Sequence, residues 1–428
     1  MLLKNSKILI LSISSWNSKV GADTWPTLMS GLNPDNIACI SLRDEIPDSH
    51  ACNNYFSISE NRIIKSIFNR KIKTGKRVEL NFNSSDESDL VAHNLRYKKM
   101  SRKRGFLGFF AREVVWKLGK WKTKELEEFI RSFNPDIILY PMEGYIHFNR
   151  ICRYAKKITG AKSIGYFWDD NFTFKQTIKL GSKLFRVFQR SSLKKLVKKT
   201  DAFWAISNMT KKEADEFFNI NCTVVTKPLK KETVYTDWQV SAPVKILYTG
   251  NLQIGRDRSL VKVVNALKEI NKDKILFQVD AYTKTQLSDE INSQLDCEFC
   301  KVHEPIPQSE VLKLQEQADI LLFLEDVDGA DAKTARLSFS TKITDYLSSG
   351  KCIFAVGCMN TAPMQYFLEN QSAIIATTNQ EMLEVFSEIV KDKQILKEYA
   401  KNACDCGLKY HKKENVLQIV HNSIEQLL

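Results

Sequence analysis

Lys245-Ile246-Leu247-Tyr248-Thr249-Gly250-Asn251-Leu252-Gln253-Ile254-Gly255-Arg256-Asp257-Arg258-Ser259 is the run on which the architecture turns. A short apolar strand enters a glycine-containing loop, and Leu260 to Ile270 then repeats its apolar residues at helical spacing. Gly250 and Gly255 allow close approach of the backbone to a ligand, with Asn251 beside the first of them. Arg256 carries a planar guanidinium that can fork onto a diphosphate. An ordinary strand–loop–helix turn with solvated arginines fits this run equally well. The Gly-x-Gly-x-x-Gly spacing of a dinucleotide loop is missing, and no Gly-x-x-x-x-Gly-Lys-Ser/Thr loop occurs, which argues against a P-loop nucleotidase.

Working outward, the same strand-then-helix alternation fills both halves of the chain. The first half opens on Lys7-Ile8-Leu9-Ile10-Leu11-Ser12, followed by expected strands at Ile37–Ser41, Asp136–Tyr140, Ser163–Phe167, Ala202–Ile206 and Thr223–Val225. In the second half strands are expected at Lys274–Val279, Glu298–Val302, Ile320–Leu324, Cys352–Val356 and Ala373–Ala376. Continuous apolar strands separated by helix-period segments predict an α/β protein with parallel sheets. At 428 residues the chain exceeds one ordinary core, so two domains are expected. Residues 1–226 form the first, 227–243 a polar linker with two prolines, 244–410 the second, and 411–428 a terminal helix.

A second segment of interest is Ser340-Thr341-Lys342-Ile343-Thr344-Asp345-Tyr346-Leu347-Ser348-Ser349-Gly350-Lys351. Ser340 and Thr341 suit a helix N-cap, Ile343, Tyr346 and Leu347 share an apolar face, and Lys342 and Asp345 share another. Free N–H groups beside a lysine suit a phosphate, and a carboxylate one turn later suits a sugar hydroxyl.

Together the two segments resemble the donor-binding half of retaining GT-B glycosyltransferases, and a Thr-Lys pair like Thr341-Lys342 looks like a variant found in bacterial polysaccharide transferases. Arg256 falls on the family's basic loop position. Asp345, five residues before Gly350, stands where the family usually places a ribose-binding Glu, and Leu337 stands where it has a second Glu. The resemblance covers residues 243 to about 378 well and the first half in outline. It implies a GT-B fold of two Rossmann-like domains facing a central cleft, with a nucleotide sugar as co-substrate and a saccharide or lipid-linked saccharide as acceptor. It also implies transfer without a metal or other cofactor, and a terminal helix that crosses back to the first domain. Gly250, Asn251, Arg256, Ser340, Thr341, Lys342 and Asp345 would bind the donor, with Arg256 and Lys342 stabilising the leaving diphosphate. An epimerase or hydrolase on a similar fold, and a non-catalytic basic binding protein, are the competing readings.

On the first-domain side, Tyr166-Phe167-Trp168-Asp169-Asp170-Asn171 follows an expected strand, where open α/β sheets place their ligands. Asp169 is the catalytic candidate there, holding an acceptor hydroxyl, with Asp170 and Glu143 as alternatives and a helix cap as the bland explanation. His147 reads as a helix residue. Asp326-Val327-Asp328 matches the D-x-D triplet of a different transferase fold and is expected to be a solvated loop.

The net charge of +13 narrows the partners. Arg96 to Lys124 carries eleven Lys/Arg against Glu113 alone, interleaved with Phe106, Leu107, Phe109, Phe110, Trp116 and Trp121, and Lys183 to Lys199 reads as a basic amphipathic helix. Cations beside aromatics suit an anionic membrane surface; a solvated face with aromatics turned inward is the alternative. No nucleic-acid motif accompanies the charge. No run of eighteen apolar residues occurs, and the amino-terminal residues read as a first strand rather than a leader. Ten scattered cysteines fit a reducing cytoplasm, and Cys297-Glu298-Phe299-Cys300 with His303 lacks the second pair a zinc site needs. The expected location is cytoplasmic, at the inner face of the membrane.

Overall fold

The computed structural model describes residues 5–17, 23–44, 46–79, 106–176, 180–329 and 331–428. They divide into two compact units. The first comprises Met1–Ile206, Thr210–Val225 and Leu417–Leu428; the second comprises Ser207–Met209 and Thr226–Val416.

In the first unit the strands are β1 Ile8–Ser12, β2 Ile37–Ser41, β3 Asn54–Ile58, β4 Gly75–Val78, β5 Ile137–Pro141, β6 Lys162–Phe167, β7 Ala202–Ala205 and β8 Cys222–Val224. They form one sheet in the order β4-β3-β2-β1-β5-β6-β7-β8. Every neighbouring pair is parallel except β3–β4, in which Tyr55 faces Val78 and Ile58 faces Gly75. All residues of β1, β2 and β5 are buried, as helices on both faces of a parallel sheet require. The helix Lys124–Phe133 shows how local chemistry sets the boundaries. Thr123 caps its start by accepting from Leu126 N at 3.2 Å, and Asn134 leaves its end in the left-handed region at φ 51°. The terminal helix Lys413–Glu425 supplies Ser423, whose Oγ accepts from buried Trp204 Nε1 at 2.7 Å.

The second unit carries β9 Val244–Thr249, β10 Phe277–Tyr282, β11 Cys300–His303, β12 Ile320–Leu324, β13 Cys352–Val356 and β14 Ile374–Ala376 in the order β11-β10-β9-β12-β13-β14, all parallel. Two apolar clusters cover its faces. One surrounds Ile246, Val263, Phe354 and Phe386; the other surrounds Leu321, Ile343, Phe367 and Ala403.

Two differences from the sequence expectations have physical causes. Strand β4 (Gly-Lys-Arg-Val) went unread because it is polar and lies antiparallel at a sheet edge, where a buried apolar run is not required. Strand β3 (Asn-Tyr-Phe-Ser-Ile), parallel to β2 and buried from Tyr55 onward, also went unread, although its aromatic and β-branched residues were the available signal. Strand β10 starts three residues later than expected. The Asn271 side chain accepts from Leu276 N and Phe277 N and donates to Phe277 O, so the chain turns through residues that look strand-like.

Candidate active site

In the second unit the chain runs from β9 to β10 and β11 on one side, then returns to place β12 on the other side of β9. The carboxyl ends of β9 and β12 therefore bound a topological switch point, the position where open α/β sheets hold ligands. Gly250 follows β9 directly and Glu325 follows β12 directly. Arg256 opens the helix Arg256–Ile270 behind Gly255, whose φ of 76° turns the loop into the helix.

Three charged side chains meet at this point. Arg256 Nε donates to Leu324 O at 3.0 Å, and its Nη2 donates to both Glu325 carboxylate oxygens at 3.0 and 2.9 Å. Lys342 Nζ sits 4.7 Å from the centre of the Tyr248 ring and 3.5 Å from Tyr248 Oη. Tyr248 in turn donates to Asn251 O at 2.7 Å. Burial pushes the Glu325 carboxyl up, opposed by Arg256 and Lys342. Burial and then the Arg256 charge push the Lys342 ammonium down to about 8, with Glu325 opposing. Burial also works against Arg256, but Glu325 outweighs it and holds the guanidinium above its ordinary value. The result is two cations around one buried carboxylate, a cradle with one positive charge in excess.

Gly250 makes room for this cradle. Its φ is 143°, which L side chains rarely adopt, and a Cβ there would collide with Lys342 Nζ. The lysine end is flexible, so Gly250→Ala should displace Lys342 rather than unfold the unit. Weakening of diphosphate binding by about tenfold or more is expected, with a fall in melting temperature from backbone strain of about 1–2 kcal/mol, read by calorimetric titration and thermal unfolding.

The remaining residues singled out in this unit take different positions. Asn251 Oδ1 accepts from Gln253 N at 2.7 Å and Thr285 Oγ1 at 2.9 Å, fixing the loop. Ser340 Oγ accepts from Lys342 N at 3.4 Å, while the Thr341 side chain makes no cap bond and the helix is only Lys342–Leu347. Lys342 and Asp345 meet different partners. Lys342 turns to Tyr248, and Asp345 lies 3.7 Å from Lys230. Asp326-Val327-Asp328 is not simply a solvated loop either. Asp326 is buried and accepts from Asp331 N at 2.7 Å and Ala332 N at 3.3 Å; Asp328 pairs with Lys262. The triplet folds its own loop. Cys300 is buried at the start of β11, and His303 stacks on Tyr282 while bonding Asp280. Sequence reasoning passed over Glu325; an acidic residue directly after a fully apolar strand at a switch point was the available signal.

The first sheet has its own switch point, between β1 and β5. Glu143 lies just beyond β5 and Asp169 just beyond β6, both half-buried. Trp168 Nε1 donates to Glu143 Oε1 at 3.3 Å. Burial, then the nearby Asp169, push the Glu143 carboxyl up to about 7, against the Trp168 hydrogen bond and Arg43. Asp170 is fully buried and accepts from Thr173 N at 2.9 Å, so it caps the following turn. His147 is buried against Trp116, with Nδ1 2.8 Å from Glu113 Oε1.

Solved structures match nearly the whole chain in fold. Sucrose-phosphate synthase of Thermosynechococcus elongatus shares 9% identity with a TM-score of 0.62, covering 99% of each chain. HepE of Anabaena, solved with UDP and glucose, shares 11% identity with a TM-score of 0.62 over 99% of this chain and 100% of its own. The fold is GT-B. A glycosyltransferase from Rickettsia africae, at 13% identity and a TM-score of 0.58, covers 99% of each chain. No protein-family model matches the chain, and no curated protein sequence does. The GT-B fold thus rests on three-dimensional likeness, with the charged cradle at the switch point of its second sheet.

Proposed function

We propose that this chain is a glycosyltransferase that moves a sugar from a nucleoside-diphosphate donor to a saccharide acceptor, with retention of anomeric configuration. The observation that carries this reading is the meeting of Arg256 and Lys342 on Glu325 at the switch point of the second sheet. Rupture of the glycosidic bond puts negative charge on the leaving diphosphate, and fixed cations in a partly dry site stabilise it without reorganisation. Arg256 and Lys342 fill that role here, rather than a metal ion or a second cofactor. In this reading Thr341, Ser340 and the Gly250–Asn251 loop bind the phosphates, and Asp345 takes the ribose hydroxyl that the family resemblance assigns to its position. The names of the fold neighbours fit this chemistry: HepE was solved with UDP and glucose, and another neighbour is named a sucrose-phosphate synthase.

In the first unit, Asp169 and Glu143 are the acceptor-side groups. A carboxyl held near neutrality by burial and a like charge is suited to exchanging a proton with a sugar hydroxyl. The acceptor is a lipid-linked saccharide of bacterial surface polysaccharide synthesis, met in the cytoplasm at the inner membrane face; nucleic acid is not a partner.

Calorimetric titration of nucleoside diphosphates across pH, paired with donor turnover with and without saccharide acceptors, tests the proposal. The diphosphate is bound by the Lys342 ammonium, which is charged below its pKa of about 8 and neutral above it. Affinity should therefore weaken above about pH 8, by up to ~10-fold per pH unit. Lys342→Met should remove that weakening. An absence of binding by every nucleoside diphosphate, or a wild-type profile flat to high pH, overturns the assignment.

A further inference from the structure

Three neighbouring helices of the first unit leave large apolar side chains in water. Among the described residues, Leu180, Leu184, Val187 and Phe188 are exposed at helical spacing along one face of Leu180–Val197. The opposite face of that helix buries Leu193 and Leu196. On Phe106–Leu118, Phe110, Val114 and Leu118 form an exposed stripe four residues apart, with Phe109 beside it. Phe68, 88% exposed, ends the helix Glu60–Phe68. The middle helix packs on both others, and the Phe109 and Phe185 rings stack at 6.3 Å, so these stripes belong to one surface. The aromatics are split: Trp116, Trp121 and Phe185 turn into the core, whereas Phe109, Phe110 and Phe188 do not.

The charges on the same helices are sorted. Acidic Glu60 is held inward by Arg112 at 2.6 Å, and Glu113 by His147 at 2.8 Å. Lys183, Lys194, Lys195, Lys198 and Lys199 are exposed, and no acid occurs from Leu180 to Lys199. An apolar face ringed by outward cations, with its acids tucked away, repels a second copy of itself. It complements a surface that is apolar inside and anionic outside.

We propose that this three-helix face docks the first unit on an anionic lipid bilayer, with Phe109, Phe110, Leu184 and Phe188 entering the headgroup–acyl boundary. None of the described helices is long and apolar enough to cross a membrane, so the attachment is interfacial. This deepens the location given under the proposed function and is separable from sugar transfer.

The test is sedimentation of the full chain with vesicles of phosphatidylcholine alone and with added phosphatidylglycerol. The wild type should partition onto the anionic vesicles. Leu184→Ser with Phe188→Ser, and separately Phe109→Ser with Phe110→Ser, should each lower partitioning by about tenfold or more. Lys194→Gln with Lys195→Gln should lower it by about fivefold per lysine, and less in high salt. All these positions are exposed; melting temperatures should stay close to wild type for the Leu184, Phe188, Lys194 and Lys195 variants and fall modestly where Phe109 loses its stack on Phe185. Equal partitioning of folded apolar variants overturns insertion, leaving charge attraction alone. Absence of vesicle binding, with a dimer that the apolar variants dissociate, assigns the face to a second copy and overturns the bilayer. Nucleoside-diphosphate binding is measured on the same samples: if it persists while vesicle binding fails, only the docking proposal falls. If vesicle binding persists without any nucleotide binding, only the sugar-transfer reading falls.

Discussion

Lys342→Met is expected to lower kcat/KM for the nucleotide sugar by about 10²- to 10³-fold, the scale of removing one fixed group that stabilises transition-state charge. The side chain has little structural duty. It makes one long hydrogen bond, at 3.5 Å, and a cation–π contact with Tyr248. Its charge is opposed by burial and by Arg256. Removing it relieves that opposition, so the melting temperature should hold steady or rise while turnover collapses. This pairing of intact stability with lost activity separates a ligand-binding cation from a packing residue. Wild-type kcat/KM in folded Lys342→Met would remove Lys342 from the mechanism.

Glu325→Gln should act in the opposite sense on binding. In the empty protein Glu325 neutralises Arg256 through two contacts and attracts Lys342. Removing one partner of a buried pair costs about 3 kcal/mol, because the other charge is left uncompensated. The variant should therefore melt at lower temperature, and a nucleoside diphosphate should restore much of the loss by supplying the missing negative charge. Affinity should tighten by about tenfold, equivalent to ~1.4 kcal/mol. Product release should slow in step, so kcat falls even as binding improves. Thermal unfolding with and without diphosphate, read beside stopped-flow release rates, checks all three effects. Weaker binding by a folded Glu325→Gln would instead mean that Glu325 orients Arg256 toward the ligand.

Glu325 also marks where sequence reading stopped short. Arg256 and Lys342 were legible because strand–glycine loop–helix and helix-start patterns are local, and each names a cation within a few residues of its signal. Nothing local joins position 325 to positions 256 and 342; only the return of the chain to place β12 beside β9 does that. The same limit explains Asp345, whose three-residue spacing from Lys342 suggested joint action. The spacing could not show that Lys342 reaches Tyr248 and that Asp345 lies 3.7 Å from Lys230. In the basic helices, composition named the cations and aromatics, but packing chose which rings face water. Trp116 fills the core beside His147, while Phe110 six residues earlier does not.

By itself, the sequence determined the class of the fold and the chemistry available to it. Apolar runs of strand length alternating with helical periods lead to buried parallel sheets, because each pattern can satisfy its backbone and hide its apolar face in that way only. Tertiary structure alone decided strand order, and with it which loop ends share a crevice, which charges neutralise one another and which apolar faces stay bare. Those outcomes depend on contacts between residues far apart in the chain, whose energies no local pattern encodes.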